Sequence, residues 1–461
     1  NVGYKESKFG NFDVPNGAII HEEEEGDDDH DENMGYLENS DYAVEATKFG
    51  ISKVGDWGYS GFSIDSLQSI YGIPFHGEEH DDHTVDPNAV PEEHEEERIF
   101  STTDSESFTI KGLYNVNGNF VNSIAYTFRD TDYSLTEAHE EEEGHDDDIG
   151  EEPHDEHAPT VFSNNATEYG AIFDISNENM TQKVVFNFVN EDSSIVGEEA
   201  FMNPANNEEF TVGYYMSKDL EAFELDFGMR LDQIDRTGSV TDEVHKDVDY
   251  YNIDDSTNSF AVSLGRELSD TVNMSIGYAS VERLPSVIEL FMNGPHMATG
   301  RLETGNPNLQ SETSNNFDIT FNYEKGEYYG YASFYVNDVD NYITLMDEDD
   351  DHDGHDGHDP HHDDDDDDDD HPVGEPHDPH ENLIHADYVQ EDAEFDGYEI
   401  EFGRTMNLTS GELTLSFGRD VVNARFADGH NVPRINPARN VYSLSYKQDD
   451  IVFKLSMKDV D

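Results

Sequence analysis

Along most of this chain apolar side chains recur at every second position, and the segments carrying that pattern are joined alternately by short and long connections. From Val272 to Val281, the apolar residues Val272, Met274, Ile276 and Tyr278 alternate with Asn273, Ser275, Gly277 and Ala279. Phe317, Ile319, Phe321 and Tyr323 alternate in the same way with Asn316, Asp318, Thr320 and Asn322. Period two sends successive side chains to opposite faces of a β-strand, here one apolar and one small or polar. Phe223, Leu225, Phe227 and Met229 form another such face, as do Val184, Phe186 and Phe188. Leu413, Leu415 and Phe417 follow, then Ile451, Phe453, Leu455 and Met457.

The short connections lie near Lys53–Asp56, Asn117–Asn119, Asn177–Asn179, Ser217–Glu221, Glu267–Asp270, Lys325–Glu327, Asn407–Gly411 and Lys447–Asp450. Gly, Asn and Asp dominate them, as tight hairpins require. Between them fall long connections near Gly10–Ser40, Ile70–Asp104, Leu135–Asn164, Ser193–Asn207, Asp235–Thr257, Pro285–Glu312, Met346–Tyr388 and Ala424–Asn440. In an up-and-down sheet alternate connections lie at opposite ends, so every long one falls on the same side. The pattern predicts an all-β fold, a transmembrane antiparallel up-and-down β-barrel with short turns at one end and long extracellular loops at the other. About seventeen strands are readable, counting a short one at Val2–Phe9. A soluble β-sandwich gives no reason for so regular an alternation. No apolar run approaches the ~18–20 residues of a membrane-spanning helix, which excludes a helical membrane protein and leaves a barrel open.

Charge narrows the partners. The 461 residues include 24 Lys+Arg against 107 Asp+Glu, a net charge of −83. That excludes nucleic acid and anionic membrane surfaces and favours cations. A salt-adapted acidic surface would also be negative, but it gives no reason for 22 histidines set mostly inside the acidic tracts. With no cysteine there are neither disulfides nor thiolate metal sites.

The segment from Glu282 to Asp318 resembles the long extracellular loop of TonB-dependent outer-membrane receptors. The resemblance rests on the Arg283-Leu284-Pro285 break, Glu289-Leu290-Phe291, Gly294, His296, and Glu303-x-Gly305-Asn306-Pro307-x-Leu309 followed by Glu312. Within that family the chain is similar to the zinc-importing, ZnuD-type receptors. The matching residues are Asn11–Pro15, Gln68–Pro74 with His76, the loop just described, and the histidine-rich insertions. The resemblance implies a barrel of about 22 strands, whose lumen is wide enough to need a plug. It also implies import of a divalent metal ion, an outer-membrane location, and coupling to the TonB energy-coupling complex through an N-terminal plug domain. No plug is recognisable here. We therefore expect residues 1–461 to be a barrel domain incomplete at both ends, with the plug and some strands outside the chain. Low-complexity metal-capture loops are expected within it at 16–40, 76–98, 136–158 and 347–381.

Candidate metal ligands fall into two groups. The first is embedded in carboxylates: His21 and His30, then His76, His80, His83 and His94, then His139, His145, His154 and His157. The densest tract holds His352, His355, His358, His361, His362, His371, His377 and His380 among aspartates. Neutral imidazole with carboxylate and without thiolate suits Zn²⁺, with Cu²⁺ and Ni²⁺ as alternatives. Stretches this polar cannot fold a core of their own, so weak capture at many sites is expected. By sequence, all the histidines fall in the long connections.

The second group is His296 alone. It follows Gly294-Pro295 and precedes Met297, Ala298 and Thr299, outside any acidic tract. The resemblance makes it a transport-site ligand, with the acidic ligand at Glu199 or the adjacent Glu198 and a further ligand from the plug. Glu282 and Glu289 are expected to hold the loop. The metal is cargo here, and no resident cofactor is expected. Nor is an enzyme, for the chain has no Gly-x-Ser-x-Gly turn, phosphate loop or dinucleotide fingerprint. Two other functions fit the pattern less fully. A receptor for a siderophore, haem or another chelate would call for aromatic and basic loop residues, which are few. A surface protein that sequesters metal or mediates adhesion would need no plug.

Overall fold

The computed structural model describes residues 1–14, 36–37, 39–74, 98–140, 159–197, 200–241, 247–296, 299–348 and 383–460. Its first strands are β1 (Val2–Phe9), β2 (Phe12–Asp13), β3 (Tyr36–Leu37), β4 (Tyr42–Gly55), β5 (Gly58–Gly72), β6 (Arg98–Asn115) and β7 (Ser123–Glu140). Then come β8 (Thr160–Asp174), β9 (Thr181–Val196), β10 (Ala205–Asp219), β11 (Glu224–Thr241), β12 (Val248–Ser269) and β13 (Val272–Arg283). A short helix α1 (Val287–Phe291) precedes the hairpin of β14 (Asn293–His296) and β15 (Arg301–Thr304). The chain continues through β16 (Glu312–Lys325), β17 (Tyr328–Asp347), β18 (Ile384–Leu408), β19 (Gly411–Phe426), β20 (Arg439–Gln448) and β21 (Ile451–Val460).

One sheet holds nineteen of these strands. Apart from β14 and β15 they form a single antiparallel meander, β1 pairing with β4 and each later stave with the next, to β21. Nineteen less the two hairpin strands leaves the seventeen staves that the periodicity predicts. Among the described residues no register joins β21 back to β1. Short turns at 56–57, 116–122, 175–180, 220–223, 270–271, 326–327, 409–410 and 449–450 all lie at one end. The long connections lie at the other. Among the described residues, no helix is long and apolar enough to cross a membrane.

The outward face is an apolar belt. Phe49, Ile51, Ile64 and Leu231 are exposed on it. Ring contacts step across successive staves from Phe49 to Phe62, Phe108, Phe128, Tyr169 and Phe188, at centroid distances of 5.1 to 6.4 Å. Large apolar side chains exposed in a continuous band need an apolar solvent, which lipid provides. The opposite parity faces the lumen, where Asp232 is buried and accepts hydrogen bonds from Thr211 (2.7 Å), Thr257 (3.2 Å) and Arg230 (2.7 Å).

Strands run further than the apolar pattern. The 235–257 region, expected as one long connection, is mostly ladder, with Thr237 opposite Asn252 and Gly238 opposite Tyr251. Likewise β7 runs through Glu140 and β18 begins at Ile384, so His139 and His385 lie on strands rather than in loops. Backbone pairing needs no apolar side chains, so it continues past the level where lipid imposes them.

The long segment between β13 and β16 folds into the mouth of the sheet. Its core is Leu290, Phe291 and Met292 packed on Ile195, Phe201, Met202 and Ala205, with Phe162, Val240, Tyr251 and Ile253 alongside. These stave residues have lumenal parity: Phe162 is opposite in phase to Tyr169 of the belt, and Ile195 to Phe188. Phe291 is fully buried, which contributes roughly 1.5–3 kcal/mol. A Cβ at Gly238 would lie 2.4 Å from the Phe291 ring, so β11 needs glycine where the ring docks.

Polar contacts hold the entry to this loop. Arg236 of β11, buried, donates to the Pro285 carbonyl and, over 3.1 Å, to Asn207 Oδ1. Arg283 bridges Glu289 (2.8 Å) and Glu312 (3.0 Å). Glu289 also closes a capping box with Ser286 at the start of α1. Glu282 accepts from the backbone and side-chain nitrogens of Asn258. Glu289 therefore holds the loop, as expected, whereas Glu282 ties β13 to β12 instead.

Candidate metal-recognition site

His296 ends β14, and the hairpin register decides what it meets. Gly294 lies opposite Glu303, and His296 lies opposite Arg301. With no side chain on Gly294, the Glu303 carboxylate is free to turn to its diagonal neighbour. Gly294 also has φ 152°, a backbone conformation that disfavours any side chain. The result is a contact of 3.0 Å between His296 Nδ1 and Glu303 Oε1. Thr299 Oγ1 donates to the same carboxylate oxygen over 3.0 Å and bonds the His296 carbonyl.

Glu303 is 4% exposed. Burial pushes its carboxyl up, but hydrogen bonds from His296 and Thr299, with the charges of His296 and Arg301, outweigh that and hold it below the usual carboxylate range. In the neutral ring a carboxylate on Nδ1 keeps the proton there and leaves the lone pair on Nε2, the arrangement that orients metal-ligating imidazoles. Among the described residues nothing bonds to Nε2. The ring is further held by Phe201, stacked on it at 4.6 Å and 26°.

One acidic group of the wall feels this imidazole. Glu137 stands near the end of β7, where burial raises its carboxyl above the usual range and the charge of His296 partly offsets the rise. Among the described residues, no three His, Asp or Glu side chains converge closely enough to hold a metal by themselves. A cation here would keep water in its shell.

The hairpin is also tied to the strands that flank residues 349–382. Arg301 makes a paired contact with Asp347 at the end of β17, 2.7 and 2.9 Å. Strand β15 runs parallel to the start of β18, with Arg301 opposite Ile384 and Thr304 opposite Asp387. Both roots of the 349–382 segment therefore sit against the strand that carries Glu303.

Of the residues expected from sequence, His296 is in the mouth. Glu198 and Glu199 lie outside the described residues, although Phe201, two positions on, covers the His296 ring. His21, His30, His76, His80, His83, His94, His145, His154 and His157 also lie outside them. So do His352, His355, His358, His361, His362, His371, His377 and His380. In the sequence Glu303 stands only as part of a family motif, and Glu137 falls within the acidic tract at 136–158. Its strand membership puts Glu137 on the wall instead. The available signal for Glu303 was a carboxylate seven residues after a histidine with apolar neighbours.

Comparison with known proteins bears on the frame of this site. A family model described as "TonB dependent receptor-like, beta-barrel" matches residues 29–455. Among solved structures, the copper transporter OprC superposes with a TM-score of 0.67 at 11% identity, covering 100% of this chain and 62% of that one. The FrpB iron transporter from Neisseria meningitidis gives 0.64 at 12% identity, covering 99% and 63%. A Serratia marcescens hemophore receptor, HasR, solved with its hemophore HasA and heme, gives 0.61 at 11%, covering 92% and 65%. At such identities the likeness is one of fold. The chain spans less than two thirds of the length of each.

Proposed function

Since the chain belongs to the TonB-dependent receptor β-barrel family, we propose that it forms the barrel of an outer-membrane receptor that imports a divalent metal ion, zinc above all. The observation that carries this reading is His296, with Nδ1 held by buried Glu303 and Nε2 left open in the barrel mouth. A histidine held this way is prepared to bind an ion. The acidic, histidine-rich loops concentrate cations outside, and the densest of them is rooted on the hairpin that bears the site. Zinc accepts imidazole and carboxylate together, and the chain offers no thiolate. Inward movement of the ion and coupling to TonB are assigned to a plug domain outside this chain.

Copper, iron and heme name the cargo of the structural neighbours, so a chelate receptor is the competing reading. Such a receptor would bind its organic chelate and not free Zn²⁺. The test is a zinc titration of the full-length receptor, wild type against His296→Ala, with 349–382 deleted from both to remove the densest part of the weak capture. The expected loss is about 10–100-fold in affinity, the range for important groups of a metal site. Equal affinities would leave His296 an ordinary loop histidine.

A further inference from the structure

Resting on that reading, we propose that Glu137 of β7 is the second protein ligand of the ion bound at His296, so that one divalent cation is held between the barrel wall and the folded-in hairpin. Two observations point there. The first is register. Glu137 lies opposite Ser101 on β6 and Thr160 on β8, and directly opposed residues share a face. That face is lumenal, because Leu135, two positions back, is opposite Phe162, which packs in the mouth cluster with Phe201. Phe201 in turn stacks on His296. The wall position of Glu137 and the imidazole therefore border the same space.

The second observation is Ser101. It is fully buried, and its Oγ has no hydrogen-bond partner among the described residues. A buried hydroxyl without a partner is a cost unless something absent from the protein itself satisfies it. Sharing a face with Glu137, this hydroxyl is placed to bond a water in the shell of an ion held by that carboxylate. The lowering effect of the His296 charge on the Glu137 carboxyl, already described, agrees with this placement. Glu303 plays a different part: it positions His296 through Nδ1, and Glu137 binds the ion.

Among the described residues the donor set is then one imidazole nitrogen and one carboxylate oxygen, with water in the shell. Nitrogen plus oxygen without sulfur selects zinc-like divalent ions over calcium and magnesium, which prefer oxygen alone. Few protein ligands also suit cargo that must leave again.

The experiment is a zinc titration of the full-length receptor lacking 349–382, comparing wild type, E137Q, H296A and the double variant. Folding of each is checked by heat-modifiable mobility. E137Q should weaken zinc binding about 10–100-fold. If both residues hold one ion, the double variant should lose far less than the product of the two single losses. E137Q at wild-type affinity while H296A weakens would overturn this proposal and leave the proposed function standing. Single losses that simply multiply would also overturn it, since independent structural effects do so. No loss in either single variant would remove both readings. Should E137Q fail to fold, Glu137→Asp carries the same test, because it keeps the charge and shortens its reach.

Discussion

Phe291→Ala should release the mouth loop without unfolding the barrel. The ring is fully buried between Gly238 of β11 and Tyr251 of β12, whose ring lies 6.0 Å from it. Truncating a buried phenylalanine costs about 3–5 kcal/mol when the site cannot collapse. Here the staves are fixed by their ladders, so collapse is limited and the upper part of that range applies. At about 1.4 kcal/mol per decade, the open fraction of the loop rises by roughly three to three and a half decades. Hydrogen exchange reads this directly. The Gly305 amide bonds the Met292 carbonyl, and the Asn306 amide bonds the Glu289 carbonyl, so both report docking. Their protection should fall by that factor, while amides in the β4–β5 ladder stay unchanged. Phe291→Leu, which keeps most of the volume, should lose about 1 kcal/mol and less than a decade of protection. Loop protection unchanged in Phe291→Ala, or falling equally in β4 and β5, would refute the idea that this ring docks the loop onto a separately stable sheet.

Glu303→Gln should weaken zinc binding about 10–100-fold, because a neutral amide oxygen holds the Nδ1 proton more weakly than a carboxylate; an unchanged titration would deny it a positioning role. Arg301→Met should cost under about 1 kcal/mol, since its partner Asp347 is substantially exposed, while exchange at the Ile384 amide, which bonds the Gly300 carbonyl, should quicken. The Asp347 carboxyl is held below the usual range by its hydrogen bonds from Arg301. The clamp is thus fully present above the unfolded value of about 3.9 and lost only as pH falls through the depressed folded value; a spin-label distance between the hairpin and β18 that lengthens already at pH 5 would contradict this. Deleting 349–382 should reduce uptake at scarce zinc and leave it intact when zinc is plentiful, as radioactive zinc uptake would show.

The staves were legible because lipid acts on each one separately. A side chain such as Phe128 or Tyr169 must be apolar wherever it meets hydrocarbon, so period two appears in the sequence of every crossing. Turn residues added the connectivity, and the two together yielded the seventeen-stave meander and its long-loop side. His296 stood out for a local reason too, as a histidine among apolar neighbours after Gly294-Pro295. Beyond the lipid the pressure ends. The ladder from Arg236 to Thr241 carries no apolar repeat and reads as loop, though its backbone is paired. Glu303 became the partner of His296 only through a hairpin register in which Gly294 vacates the space opposite it. Glu137 read as the edge of an acidic tract. Its lumenal parity is local, but which part of the folded-in loop it faces depends on where that loop docks in the mouth. Side-chain parity is a local property and is written in the sequence; which walls and loops meet across a lumen is a long-range one, decided only when the staves have curved and Phe291 has docked.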